Sequence, residues 1–186
     1  MTRYVRLLSD LDALDEKSKC VNVVIETTRE SRTKLAYDPE RGTFVVKLVL
    51  PQGMSFPFDF GFIPSTLADD GDPLDVLVLM DEPVPAGTIV PSRLVGVIEA
   101  VQTEKDGTSE TNDRLIGVAA THDLYAKVNK LADVPKAVTS QIEQFFISYN
   151  EQEGKRFEPK GRHGRKRAEK ILATCRRQYS RQRRKK

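Results

Sequence analysis

Over the first two thirds of the chain the apolar residues fall in short β-branched runs, not at helical spacing. Residues 21–26, 43–50, 76–80, 88–101 and 114–119 are each rich in Val, Ile and Leu and bounded by Gly, Pro, Asp or Asn. That combination predicts strands separated by turns. Pro91 is expected to break the fourth run, because it has no amide hydrogen to give a neighbouring strand. Short strands at this density predict a small barrel or a strongly curled sheet. The period then changes. Asp133 and Pro135 mark a helix start, after which Val138, Ile142, Phe145, Phe146 and Tyr149 recur at helical spacing. A second helix is predicted over about 165–181, where Ala168, Ile171, Leu172, Cys175 and Tyr179 form one stripe among basic residues and should dock on the barrel. The first ten to fifteen residues are expected to give a short helical lead-in, and the closing run 181–186 to be disordered.

Length and charge refine this picture. The 186 residues suffice for one globular unit with a core of its own. No apolar run is long enough to cross a bilayer, which excludes a helical membrane span. Asp10, Asp12, Asp15 and Glu16 leave no apolar stretch of the kind a secretory leader needs. Cys20 and Cys175 lie far apart and form neither a disulfide framework nor a zinc pattern, so a reducing cytoplasm is expected. The net charge of +3 conceals a division: residues 1–154 hold fifteen Lys and Arg against twenty-five Asp and Glu, and residues 155–186 hold fifteen against two. The expected organisation is a domain over 1–160 followed by a basic helix and tail over 161–186. Arg162-His163-Gly164-Arg165-Lys166-Arg167, Arg176-Arg177 and the final cluster suit weak, non-specific contact with nucleic acid or another polyanion. The competing reading is a solvated helix face that balances the acidic body. Tyr179 is the one aromatic there, so base stacking has little support.

Most familiar catalytic signatures are absent, and His122 and His163 stand alone and are assigned no role. One segment differs: Asp69-Asp70-Gly71-Asp72-Pro73-Leu74-Asp75 runs directly into the apolar strand Val76-Leu77-Val78-Leu79-Met80. Carboxylates crowded at the mouth of a buried strand repel one another unless a cation sits between them. Oxygen donors at this density suit magnesium, manganese or calcium. The EF-hand loop is excluded, because Leu74 and Asp75 stand where it needs an acidic or amide residue and then glycine. The plainer alternative is a solvated turn.

The run Asp70-Gly71-Asp72-Pro73-Leu74-Asp75-Val76 resembles the signature of the soluble family I inorganic pyrophosphatases. Further stretches agree in order: Val23-Val24-Ile25-Glu26, Lys34, Phe44-Val45-Val46-Lys47, Phe56-Pro57-Phe58-Asp59-Phe60-Gly61-Phe62-Ile63, Gly96-Val97-Ile98, Arg114-Leu115-Ile116-Gly117-Val118 and the segment Gln141 to Tyr149. The resemblance covers roughly residues 20–155. It implies an α+β, mainly β fold, a five-stranded OB-like barrel with flanking helices. It also implies magnesium-dependent cleavage of pyrophosphate to two phosphates, with manganese as a possible substitute, and assembly as a homo-oligomer.

By motif position, the resemblance makes Asp72 the catalytic base, Glu26, Asp70 and Asp75 metal ligands, and Lys34, Lys47, Arg114 and Tyr149 phosphate-binding groups. Lys47 stands for the usual arginine and Arg114 for the usual lysine, which keeps the charge and changes the donor geometry. Six positions depart from the pattern. Ala36, Gln102 and Asn112 replace carboxylates, Phe56 and Phe60 replace tyrosines, and Asn150 replaces a lysine. The loop from Gln102 to Asp113 is longer than usual, so Asp106, Glu110 or Asp113 is a candidate substitute ligand. Such losses lead to an expectation of weakened turnover. The alternatives are a degenerate, regulatory homologue that binds phosphate or metal without fast hydrolysis, and a nucleic-acid-associated protein that uses its basic end.

Overall fold

The computed structural model describes residues 7–121 and 123–184. The strands are β1 (Val21–Thr27), β2 (Thr33–Asp38), β3 (Thr43–Val49), β4 (Asp59–Ile63), β5 (Leu74–Leu79), β6 (Ile89–Thr103), β7 (Ser109–Thr111), β8 (Arg114–Ala119) and β9 (Arg156–Gly164). Helix α1 (Lys136–Gln152) precedes β9 and α2 (Arg165–Arg183) follows it. Five strands pair in the order β1-β4-β5-β8-β6, and β6 returns to β1, so the sheet closes into a ring. This is the expected five-stranded, mainly β architecture. Within the ring only β5 and β8 run parallel. Strand β6 also carries β7 and β9, and β2 and β3 form a separate hairpin.

Closure depends on two local features. Gly61 pairs with Ile25 where β4 crosses β1, and a Cβ there would lie 2.0 Å from the Val24 carbonyl oxygen. Only glycine permits that approach. Pro91 does not break β6: it pairs with Asn22 and accepts a hydrogen bond from the Ala120 amide at 2.8 Å. The strand uses the proline's carbonyl there, so the missing donor does not interrupt it.

Strand β5 is buried on both faces. Val76, Val78 and Met80 join an apolar cluster to which all five ring strands contribute, and Ala168, Leu172 and Cys175 of α2 close it. Leu77 and Leu79 face the other way, onto Phe60, Ile116, Val118 and the α1 residues Ile142 and Phe146. This period-two division explains why the strand reads as an unbroken apolar run. Both helices dock as their stripes predict.

Three further expectations change. The helical lead-in is one 3₁₀ turn at Leu8–Asp10, and residues 1–6 lie outside the described residues. Strands β2, β4, β7 and β9 are not signalled by the apolar runs. Residues 181–183, expected to be disordered, continue α2, because the Tyr179 hydroxyl donates to Asp10 at 2.6 Å and Arg183 lies 3.8 Å from the same carboxylate. Residues 185–186 lie outside the described residues, as does His122. His163 sits on β9 with its Nε2 2.8 Å from Glu99 and takes no part in the cavity described below.

Candidate active site

The acidic segment folds as a tight turn pinned on three sides. Asp70 Oδ1 accepts the Asp72 amide at 3.0 Å, and Gly71 takes φ +88°, a conformation that favours glycine. The Leu74 amide donates to Thr66 Oγ1 at 2.9 Å where β5 begins. From α2, the Cys175 carbonyl accepts the Leu67 amide at 3.1 Å, and Gln178 Nε2 donates to Asp69 at 3.1 Å. The docked helix thus holds the turn against the barrel.

Above this turn lies a cavity of about 500 Å³. Its walls come from the end of β1, the β2–β3 hairpin, the start of β5, the far end of β6, the start of β8 and the last turns of α1. Glu26, Lys34, Lys47, Asp70, Asp72, Asp75, Arg114 and Tyr149 all line it. The six departing positions, Ala36, Phe56, Phe60, Gln102, Asn112 and Asn150, line the same cavity.

On one wall, the Glu26 carboxylate accepts the Tyr37 amide at 2.7 Å and the Lys34 ammonium at 3.3 Å. Lys34 Nζ lies 3.9 Å from the centre of the Phe60 ring, a cation–π placement. Burial raises the pKa of Glu26 despite Lys34. Asp70 is pushed up to about 6, first by burial and then by Asp75 and Asp72. Asp72 is raised by burial and by Asp75, with Lys47, Lys34 and Lys155 opposing.

The other wall is a hydrogen-bonded chain. Arg114, 5% exposed, donates to both Asp75 and Asn112. Its guanidinium carbon lies 4.8 Å from the Phe146 ring centre and 5.6 Å from that of Phe157. Asn112 Nδ2 donates to Gln102 Oε1 at 3.0 Å, and Gln102 Nε2 donates to Glu104 at 2.6 Å. Glu104 in turn pairs with Lys155 at 3.0 Å. The donors run head to tail from a buried cation to a carboxylate at the mouth, an order that fixes both amides. Burial and a hydrogen bond to Glu153 raise the Tyr149 pKa far above the usual phenol range. Asn150 donates its Nδ2 to the Phe146 carbonyl at 2.8 Å.

Of the candidate substitute ligands, only Glu110 lines this cavity. Asp106 caps its own turn through the Thr108 amide at 2.9 Å. Asp113 accepts the Ala100 amide at 3.2 Å and faces a second cavity of about 260 Å³ between the acidic turn and α2. Glu104, Glu153 and Lys155 were not anticipated as cavity residues. The Tyr149–Glu153 pair was readable as an i, i+4 spacing, whereas Glu104 meets Lys155 only through the pairing of β6 with β9.

A profile of the inorganic pyrophosphatase family matches residues 23–180. The chain belongs to the inorganic pyrophosphatase family. The inorganic pyrophosphatase of Thermus thermophilus is 40% identical over 149 residues, which is 80% of this chain and 82% of that protein. That of Halalkalibacterium halodurans is 35% identical over 157 residues, covering 84% and 93%. Among solved structures, the Thermus thermophilus pyrophosphatase superposes with a TM-score of 0.84 at 35% identity, covering 93% of this chain and 98% of that one. The Helicobacter pylori enzyme gives 0.80 at 31% identity, covering 91% and 98%.

Pyrophosphatases of this family depend on metal ions. The donor chemistry here fits such a requirement, because several hard carboxylates share one cavity and two of them, Asp70 and Asp72, are raised by burial and by repulsion from Asp75. Among the described residues, no three acidic, histidine or cysteine side chains already converge on a single point. Asp75 is held by Arg114 and Glu26 by Lys34.

Proposed function

We propose that this chain hydrolyses inorganic pyrophosphate to two phosphates. The observation that carries the reading is the convergence of four carboxylates with Lys34, Lys47 and Arg114 in one cavity. Asp72 takes the proton of the attacking water at its carboxylate, the water oxygen bonds to one phosphorus, and the bridging P–O bond breaks to release the second phosphate. Lys34 and Lys47 approach the substrate from the β2–β3 hairpin. Arg114 approaches from the barrel floor and supplies a planar fork suited to phosphate oxygens. Tyr149, kept neutral, is the phenol donor of the α1 wall.

Glu26, Asp70 and Asp75 would hold the divalent ions, magnesium first and manganese as its substitute. When bound, such ions neutralise phosphoryl charge and acidify water. A cytoplasmic setting and homo-oligomeric assembly belong to the same proposal. The first is supported by two free cysteines and by the absence, among the described residues, of a helix able to span a membrane.

A second reading is favoured by one feature, the engagement of Asp75 by Arg114. If that pair does not open, the protein binds phosphate compounds without turning them over. The test is phosphate release from pyrophosphate with magnesium, with and without chelator. Release that the chelator abolishes is expected. No release above the magnesium background, with imidodiphosphate still bound in a calorimeter, would replace the enzyme by the binding protein.

A further inference from the structure

We propose that the outer face of α2 binds double-stranded nucleic acid through its phosphates, without regard to sequence. The inner face of this helix is spent on the barrel, with Ala168, Leu172 and Cys175 buried. Opposite them, Lys166, Lys170, Arg177, Arg181 and Arg184 stand at i, i+4, i+11, i+15 and i+18, all exposed. At 100° per residue they fall within one narrow arc, a straight line about 27 Å long. Among the described residues, Lys166, Lys170, Arg181 and Arg184 make no ion pair or side-chain hydrogen bond, whereas Arg165 and Arg167 are paired with Glu169 and Glu99. Arg177 donates only to Thr174. Between the arginines, the small side chains of Ala173 and Ser180 leave a shallow groove of about 470 Å³, bounded by Arg176, Arg177, Arg181 and Arg184.

The chemistry selects the partner. A groove walled by guanidinium groups and floored by small residues fits a chain of phosphates, which guanidinium forks bind in pairs. Laid along the duplex axis, a stripe of about 27 Å spans roughly eight base-pair steps. Lipid is disfavoured because the apolar face of α2 is already buried, leaving nothing to enter a bilayer. Single strands are disfavoured because the groove has no aromatic platform for bases. The acidic remainder of the molecule repels a polyanion, so contact is confined to this helix.

The test uses the full chain and two labelled 25-base-pair DNA duplexes of unrelated sequence, followed by fluorescence anisotropy. Five phosphate contacts predict a slope of log K against log[salt] near −4.5, or a loss of about 500-fold in affinity between 50 and 200 mM salt. Both duplexes should behave alike. In the triple variant Arg177→Gln, Arg181→Gln, Arg184→Gln the slope should fall to about −1.8, a loss of only about 12-fold over the same range. Gln and Arg have similar helix propensity, so α2 should remain folded by circular dichroism, and phosphate release should match the parent. Absence of binding at 50 mM salt would overturn the proposal. So would a slope unchanged by the triple substitution, or tighter binding to phosphatidylserine vesicles than to either duplex.

Discussion

The two walls of the cavity solve the same electrostatic problem differently. On the wall built from β1, the hairpin and the acidic turn, Glu26, Asp70 and Asp72 remain carboxylates raised by burial, and Lys34 and Lys47 face them. On the wall built from β6, β7 and β8, Gln102 and Asn112 present amides, and the positive charge is Arg114, a covalent part of the chain boxed by Phe146 and Phe157. The first wall has unmet demand for a cation. The second meets it internally. The neutral amides Gln102 and Asn112 add no charge for an ion to balance, and Asn112, itself bonded to Gln102, holds the Arg114 guanidinium in place.

The comparison can be broken most forcefully at the base. Asp72→Asn should lower phosphate release by about 10²- to 10⁴-fold while binding of imidodiphosphate persists; a rate within threefold of the parent would displace Asp72 from its role. Next is the fixed cation. Arg114→Met should lower kcat/KM by about 10²-fold or more, and Arg114→Lys should recover only part of it, because an ammonium is a point donor and lacks the planar fork that suits phosphate oxygens. Full activity in the methionine variant would mean that this wall is scaffolding.

Asn112→Asp should convert the internally balanced wall towards its counterpart. Manganese titration should show about tenfold tighter binding, or an added ion per chain, at the cost of the hydrogen bond to Gln102. The smallest effect is a pH dependence in chelator. Asp70 titrates near 6 in the folded chain against an ordinary 3.8, so folding favours its neutral form. Its contribution is fully present below about pH 4 and is lost as the pH rises through 6. Asparagine imitates the neutral acid at every pH. In urea unfolding, Asp70→Asn should therefore match the parent near pH 4 and exceed it by about 1–2 kcal/mol at pH 7, a range already reduced for partial exposure. Magnesium should reverse the order, because the variant lacks a ligand.

The acid-bearing wall was partly readable in the sequence, because Asp70 and Asp72 lie within one turn that feeds a strand with a strong apolar signal, whereas Glu26 came only with the family resemblance. The second wall was not. Gln102, Asn112 and Arg114 stood out only as substitutions, and their hydrogen-bonded order exists because the β6–β7 hairpin folds Asn112 back over Gln102. The fold divides in the same way. β5 announces itself with the unbroken run Val76-Leu77-Val78-Leu79, and β8 with Leu115, Ile116 and Val118 around Gly117. β9 contains Pro159, Gly161 and four basic residues, and it is a strand only because β6 is long enough to pair with it. β4 was hidden by Pro57 and Gly61, and that glycine is required by the ring. The last turn of α2 depended on Asp10, at the far end of the chain.

The hydrogen bond from the Leu67 amide to the Cys175 carbonyl joins the root of the acidic turn to the middle of α2. In hydrogen–deuterium exchange terms, that amide is shielded only while the helix is docked, so its protection factor reports the free energy of lifting α2 from the barrel and not the opening of the turn alone. The amide of Gly71, bonded at 3.1 Å to Ala68 within the turn itself, has no such dependence. The difference in protection between these two neighbouring amides isolates what α2 contributes to holding the turn.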